Sequence, residues 1–339
     1  MSKEILIIKL GAVGDVLRTT SILKGVKEKY AGSGVTWVTK KESYELLKNN
    51  QHINKIFFID QPLKELYKIH FDLVVSLDDE DEACMLATRI NKKKLIGAYY
   101  SDNKKIYTKD SSEWFDMGLI SKYGKEKADE LKKLNKKTYQ EIISNILGIK
   151  ASELILNLDK EELEFAEKFA EKNNLKEKDL IIGLNTGAGK RWPLKKLSIE
   201  KTAELADRLN NELNAKVILL GGPEERERNQ RIKEKTKTDI IDAGCDNSLK
   251  QFASLINLCY ILVTSDSLAM HIAIALKKKV IAFFGPTSAA EIEIYGRGRK
   301  IVAPIECACC YRRTCNIKPN CMDKITVDYI LNDIKEILG

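Results

Sequence analysis

Four short stretches of this chain set polar side chains and glycine where an apolar run stops. The run 260–263 is apolar and partly β-branched, as a buried strand should be. Asp266, Ser267 and Leu268 follow it and open a helical segment that carries His271 about one turn in. A helix amino terminus at a strand's carboxyl end offers free N–H groups to an anion. Plain N-capping by Asp266 or Ser267 would use the same residues, and a lone histidine is more often a hydrogen-bonded core residue. The second stretch runs from Asn185 and Thr186 through Gly187 and Gly189 to Lys190, Arg191, Trp192 and Pro193. Its glycines let backbone amides approach an anion, and Lys190 adds a charge. The spacing is not that of a Walker loop, and no Ser or Thr follows Lys190. A β-α connection with a structural Trp192–Pro193 is the plain alternative. In the third, Glu224 and Glu225 follow Gly221, Gly222 and Pro223. A carboxylate there can take the two hydroxyls of a ribose, or simply favour the positive end of a helix dipole. The fourth is Gly11-Ala12-Val13-Gly14-Asp15. It lacks the third glycine of the dinucleotide fingerprint, and the next strand ends in Thr39, Lys40 and Lys41 without an acid, which disfavours NAD. Asp15, at a strand's carboxyl edge, is a candidate for acid–base chemistry as well as for capping.

These residues need strand ends to hold them, and the pattern supplies them. Residues 4–10, 35–39, 55–60, 72–77 and 94–99 read as strands, with helices over 16–30, 43–48, 62–68 and 80–90. Residues 101–124 lack clear periodicity and read as a long functional loop; 125–147 reads as a basic helix stopping at Gly148. Residues 163–173 read as a helix, and its polar tail 172–179 reads as the interdomain linker. A second set follows, with strands at 180–184, 216–220, 240–241, 260–263, before Gly285 and at 301–304, and helices at 199–213, 224–235, 249–258 and 327–338. Alternating strands and helices predict parallel sheets covered on both faces. The expected fold class is α/β: two Rossmann-like, doubly wound domains facing across a cleft, over residues 1–174 and 175–322, with a final helix in 323–339.

Composition narrows the function. The chain of 339 residues is long enough for two domains. No apolar stretch is long enough to span a bilayer, and residues 4–10 are too short for a signal peptide, so a cytosolic protein is expected. The net charge of +8 is concentrated between Arg89 and Lys137, where 14 basic residues face seven acidic ones. An anionic partner or an ordinary lysine-rich surface accounts for this. Few aromatics interleave with the charges, so nucleic acid is not an expected partner. Five of the eight cysteines lie between Cys307 and Cys321. Cys307 and Cys310 have zinc-like spacing, but Cys315 and Cys321 are too far apart for the matching pair. Metal, disulfide and free thiols all stay open for Cys307, Cys310, Cys315 and Cys321, with free thiols favoured.

In combination, the Gly11–Asp15 turn, the loop ending Lys190-Arg191-Trp192-Pro193, the Gly-Gly-Pro-Glu turn at Gly221 and Asp266-Ser267-x-x-x-His271 resemble glycosyltransferase family 9, the lipopolysaccharide heptosyltransferases. The four motifs occur in order along essentially the whole chain. The segment Cys307 to Cys315, with Cys321–Met322 after it, is similar to a cysteine-rich stretch of the second heptosyltransferase type. The resemblance implies a GT-B architecture, with an acceptor-side first domain, a donor-binding second domain and a last helix that crosses back to the first. It implies heptose transfer from ADP-heptose to an inner-core lipopolysaccharide acceptor, with inversion and without metal or other cofactor. Asp15 would be the general base, with Gly14 and Arg18 beside it on the acceptor side. Lys190 would stabilise the departing diphosphate. Glu225, before Glu224, would hold the ribose; Asn185, Thr186, Gly187, Asp266, Ser267, Leu268 and His271 would line the donor pocket. Partners would be the nucleotide sugar and an anionic saccharide-lipid, met in the cytoplasm or peripherally at the cytoplasmic face of the inner membrane. The chain departs from the family pattern at two places. Ser267-Leu268 stands where threonine and glycine are usual, which leaves the exact sugar open, and Cys309 stands where proline is usual. Another nucleotide sugar, or a nucleotide-sugar-binding protein without turnover, is the alternative. Asp15 argues against the latter, because a pure binder does not need that acid.

Overall fold

The structure, a computed structural model of the chain, describes residues 2–115, 120–189 and 192–339. The chain divides into two compact units, Met1–Asn157 and Leu158–Gly339.

The first unit holds six strands: β1 Glu4–Ile8, β2 Gly34–Thr39, β3 Lys55–Phe58, β4 Phe71–Ser76, β5 Lys92–Ser101 and β6 Lys104–Tyr107. Their order is β3-β2-β1-β4-β5-β6, all parallel except the β5–β6 pair. Ile5, Leu6, Ile7 and Ile8 have no exposed surface, because the central strand of such a sheet is covered on both faces. The strand alternation assigns each residue its face. Ile5 and Ile7 pack with Val16, Leu23, Val26 and Ile143, whereas Leu6 and Ile8 pack with Ala83, Leu86 and Ile90.

The second unit repeats the topology with β7 Ile181–Asn185, β8 Lys216–Leu220, β9 Ile240–Asp242, β10 Ile261–Ser265, β11 Lys279–Phe284 and β12 Gly298–Val302. The order is β12-β11-β10-β7-β8-β9, all parallel. In both sheets the order reverses beside the first strand, between β1 and β4 and between β7 and β10. Doubly wound sheets bind ligands at that switch point, outside the strands' carboxyl ends.

Several expectations need correction. Residues 101–124 are not one long loop. Asp102 and Asn103 take positive φ of 49° and 59° and turn β5 into β6, the two-residue geometry that suits a hairpin's twist. Helix 16–30 is two helices, Val13–Thr19 and Leu23–Lys29, joined by a 3-10 turn. The basic helix 125–147 is also two, Ile120–Leu134 and Tyr139–Leu147. The second starts on a capping box in which Thr138 Oγ1 accepts from Glu141 N and the Glu141 carboxylate accepts from Thr138 N. The domain boundary lies at 157/158 instead of 174/175, because the helix Lys160–Lys172 packs on the helix Leu249–Leu258 of the second unit. The last helix, Val327–Leu338, packs on the helix Ile199–Leu213 and on β11 and β12. Its stripe of Ile330, Leu331 and Ile334 is fully buried in the second unit's core.

Candidate functional site

Each switch point carries a cluster of polar side chains. In the second unit, Asn185 ends β7 and Thr264 sits near the end of β10. Asn185 Nδ2 donates to Thr264 Oγ1 at 3.0 Å, to Ser267 Oγ at 3.2 Å and to Gly187 O at 2.9 Å. One amide thus ties both strand ends to the glycine loop. Ser267 is the N-cap of the helix Leu268–Ala275 by position but makes no capping bond; its hydroxyl pairs with Thr264 Oγ1 at 3.0 Å. The capping alternative for Ser267 therefore fails.

Asp266 is met by Lys195 Nζ at 2.7 Å, and the same ammonium donates to Asp266 O at 3.0 Å. Burial pushes the Asp266 carboxyl up, but the charges of Lys195 and His271, with the hydrogen bond from Lys195, outweigh it and hold it below the usual aspartate range. Lys195 also lies over the Trp192 ring, 5.4 Å from its centroid. Leu268 is half-buried beside Asp266, and His271 is buried one turn further in.

At the end of β8, Glu225 is buried and Glu224 exposed. Glu225 Oε1 accepts from Lys196 Nζ at 2.7 Å, and Oε2 accepts from Gly222 N at 3.2 Å. A Cβ at Gly187 would meet Glu225 Oε2 at 3.0 Å, so the glycine brings its loop down onto this carboxylate. Thr186 Oγ1 donates to Asn229 Oδ1 at 2.5 Å. Beyond Asn229 a cavity of about 680 Å³ is lined by Arg226, Gln230, Arg231, Asp242 and Cys245. Lys190 and Arg191 lie outside the described residues.

In the first unit the helix starts at Val13, so Gly14 and Asp15 fall in its first turn and Asp15 is not the cap. Asp15 Oδ1 pairs with Arg18 Nε at 3.0 Å. Arg18, 8% exposed, stacks on Tyr139 with 4.0 Å between Cζ and the ring centroid. Beside them Lys9 pairs with Asp78.

The structure thus gathers Asn185, Thr186, Gly187, Glu225, Asp266, Ser267, Leu268 and His271 around one sheet edge, and Gly14, Asp15 and Arg18 around the other. It adds Lys195, Lys196, Asn229 and Lys9, which the sequence reading passed over. Two of these, Lys195 and Lys196, stand directly after Trp192–Pro193-Leu194, and their charges were visible there. Cys84, Cys245, Cys259, Cys307, Cys310, Cys315 and Cys321 are free thiols. Among the described residues no three His, Cys, Asp or Glu side chains are arranged to hold a metal. Cys307, Cys310 and Cys315 are half-buried, and Cys321 is buried against Gly285. Among the described residues no helix is long and apolar enough to cross a membrane.

Two Rossmann-like units of this topology, the second with a buried polar cluster around its switch point, define the GT-B class of glycosyltransferase folds. The description "Glycosyltransferase family 9 (heptosyltransferase)" matches residues 61–320, and the chain belongs to that family. It is 29% identical over 210 residues to lipooligosaccharide heptosyltransferase 2 of Campylobacter jejuni, covering 59% of this chain and 63% of that one. The match thus spans less than two thirds of that relative's length. Among solved structures, a family 9 glycosyl transferase from Veillonella parvula superposes with a TM-score of 0.82 at 20% identity, covering 99% of this chain and 97% of that one. ADP-heptose lps heptosyltransferase II of E. coli gives 0.64 at 18%, covering 99% and 98%. At these identities the two structures show the shared fold.

Proposed function

We propose that this chain transfers heptose from ADP-heptose to a hydroxyl of an inner-core lipopolysaccharide acceptor, with inversion at the sugar carbon. The observation that carries the reading is the bridge from Asn185 to Thr264 and Ser267 across the second switch point, flanked by the Lys195–Asp266 and Lys196–Glu225 pairs. Such an edge presents fixed donors and carboxylates to a nucleotide diphosphate and its sugars.

In this reaction Asp15 takes the proton of the acceptor hydroxyl. The acceptor oxygen bonds to the sugar carbon from the face opposite the diphosphate. The bond from that carbon to the phosphate oxygen breaks, and its electron pair leaves on ADP. Lys190 offers the charge that stabilises the departing diphosphate, the part a metal plays in other transferases. Glu225 takes the ribose hydroxyls in this reading. Asp266, Ser267, Leu268 and His271 shape the donor pocket, and Leu268, bulkier than the glycine usual there, narrows it.

The acceptor in this reading is an anionic saccharide-lipid met at the cytoplasmic face of the inner membrane. Lys93, Lys104, Lys109 and Lys133 are exposed in the basic segment. Lys94, Lys105 and Lys137 there are tied to Asp110, Asp81 and Glu113 at 3.0, 2.8 and 2.5 Å, so the usable positive charge is smaller than the count of lysines.

The experiment is a thermal-shift panel of nucleotide sugars followed by calorimetry. A ligand that binds only the folded chain raises Tm. ADP-heptose should give the largest shift, with ADP retaining much of it. A larger shift with another nucleotide sugar would redirect the donor assignment.

A further inference from the structure

We propose that the buried Lys9–Asp78 pair is a positioning device for Asp15: it fixes the backbone leading from β1 into the Gly11–Gly14 turn and balances the charge around that carboxylate. The proposal rests on the reading of Asp15 as the base.

Lys9 directly follows β1 and is 3% exposed. Lysine is almost never that buried unless paired. Asp78 follows β4, the neighbour of β1 across the first switch point. Its two oxygens are used separately. One accepts from Lys9 Nζ and the other from Leu10 N. Lys9 Nζ also donates to Gly11 O at 2.5 Å. Residues 9, 10 and 11 are therefore all tied, directly or through Asp78, just before the turn that delivers Asp15.

From its other side Asp15 is held by a second set. Arg18 Nε is 3.0 Å from its carboxylate, and Arg18 lies over the Tyr139 ring. Tyr139 Oη is 2.6 Å from Thr19 Oγ1, which donates to Asp15 O at 2.6 Å. Around Asp15 the charged and titratable groups among the described residues include Lys9 after β1, Arg18 on its own helix, Asp78 after β4 and Tyr139 on the packed helix. Lys41 and Glu42, on the 3-10 turn that packs on the Asp15 helix, are exposed. Lys40 is paired with Glu80 at 2.7 Å.

Stability alone does not call for this arrangement. A buried ion pair is often no better than apolar residues of the same volume. What the pair adds is direction and field. Burial works against the Lys9 charge, but Asp78, then Asp15 and Tyr139, outweigh it and keep the ammonium charged. By reciprocity the Lys9 charge favours ionised Asp15.

The test is steady-state kinetics of the full chain against pH, with ADP-heptose and a core acceptor. It compares Lys9→Met, Lys9→Arg, the double change Lys9→Met with Asp78→Leu, and Asp15→Ala. Lys9→Met should lower kcat about 10- to 100-fold, the scale of a small misplacement of a reacting group, with donor KM nearly unchanged. The acidic limb of kcat/KM should move to higher pH, because a cation near the base is gone. Lys9→Arg should return the limb towards its original position. The double variant replaces the pair with apolar groups and keeps the test readable if Lys9→Met alone does not fold; it should also lose kcat. If the double variant loses only Tm and keeps the wild-type kcat and pH profile, the pair is a fold staple and the proposal is overturned. If Asp15→Ala is inactive in that same experiment, the base reading survives alone. Near-normal turnover of Asp15→Ala overturns both.

Discussion

Lys195 Nζ reaches both the carboxylate of Asp266, at 2.7 Å, and the backbone carbonyl of the same residue, at 3.0 Å. A single ammonium therefore fixes the residue that leads from β10 into the helix Leu268–Ala275. Lys195 and Asp266 side chains are 8% and 19% exposed. Removing one partner of such a pair leaves a poorly solvated charge. Lys195→Ala should cost about 3 kcal/mol of stability and weaken ADP-heptose binding, read by urea unfolding and calorimetry. Unchanged donor affinity in a folded variant would detach this pair from the site.

The same carboxylate makes a pH prediction. Its folded-state value lies below the ordinary one, so ionised Asp266 stabilises the native state above the unfolded aspartate pKa of about 3.9. That contribution is lost as pH falls through the folded value. Urea midpoints measured on the acid side should fall less steeply with decreasing pH in Asp266→Asn than in the parent. Parallel slopes would contradict the assignment.

Glu225 and Glu224 are adjacent in sequence but opposite in burial. Glu225 is held by Lys196 and by Gly222 N, under the Gly187 loop. If Glu225 serves the ribose, Glu225→Gln should lower ADP affinity by roughly 10-fold, since charged hydrogen bonds are worth about 1.5–3 kcal/mol. Glu224→Gln should change it little. Calorimetry with ADP alone separates the two, and the reverse order would move the ribose contact to Glu224.

Gly285 directly follows β11 and lies against the cysteine-rich segment. A Cβ there would lie 2.5 Å from Cys321 Sγ and 2.6 Å from Met322 Cε. Gly285→Ala should therefore cost about 1–3 kcal/mol as an overpacked core does, read as a lower Tm. An unchanged Tm would mean that the segment 303–322 yields easily.

Much of the fold was legible because a parallel sheet buries its strands on both faces. Runs such as Ile5 to Ile8 and Val217 to Leu220 read directly as strands, and the helices Ile199–Leu213, Leu249–Leu258 and Val327–Leu338 have the ends that periodicity gave them. The hairpin at Asp102–Asn103 and the capping box at Thr138 and Glu141 carried local signals that the charge of that segment hid. Partner choice was harder to read. Nothing local to Lys9 says that its partner is Asp78, 69 positions away, or that Lys195 meets Asp266, 71 positions away. Tertiary packing decides such pairs.

The central claim is catalytic transfer with Asp15 as base, and one measurement reaches it most directly. The full chain is incubated with ADP-heptose and a heptose-acceptor core lipid, and the acceptor's mass and the ADP formed are followed together for the parent and for Asp15→Ala. The account predicts one heptose added per ADP released, with kcat lowered roughly 10²- to 10⁴-fold in Asp15→Ala and ADP affinity nearly unchanged. ADP-heptose binding without any gain in acceptor mass, or near-normal transfer by Asp15→Ala, would contradict it.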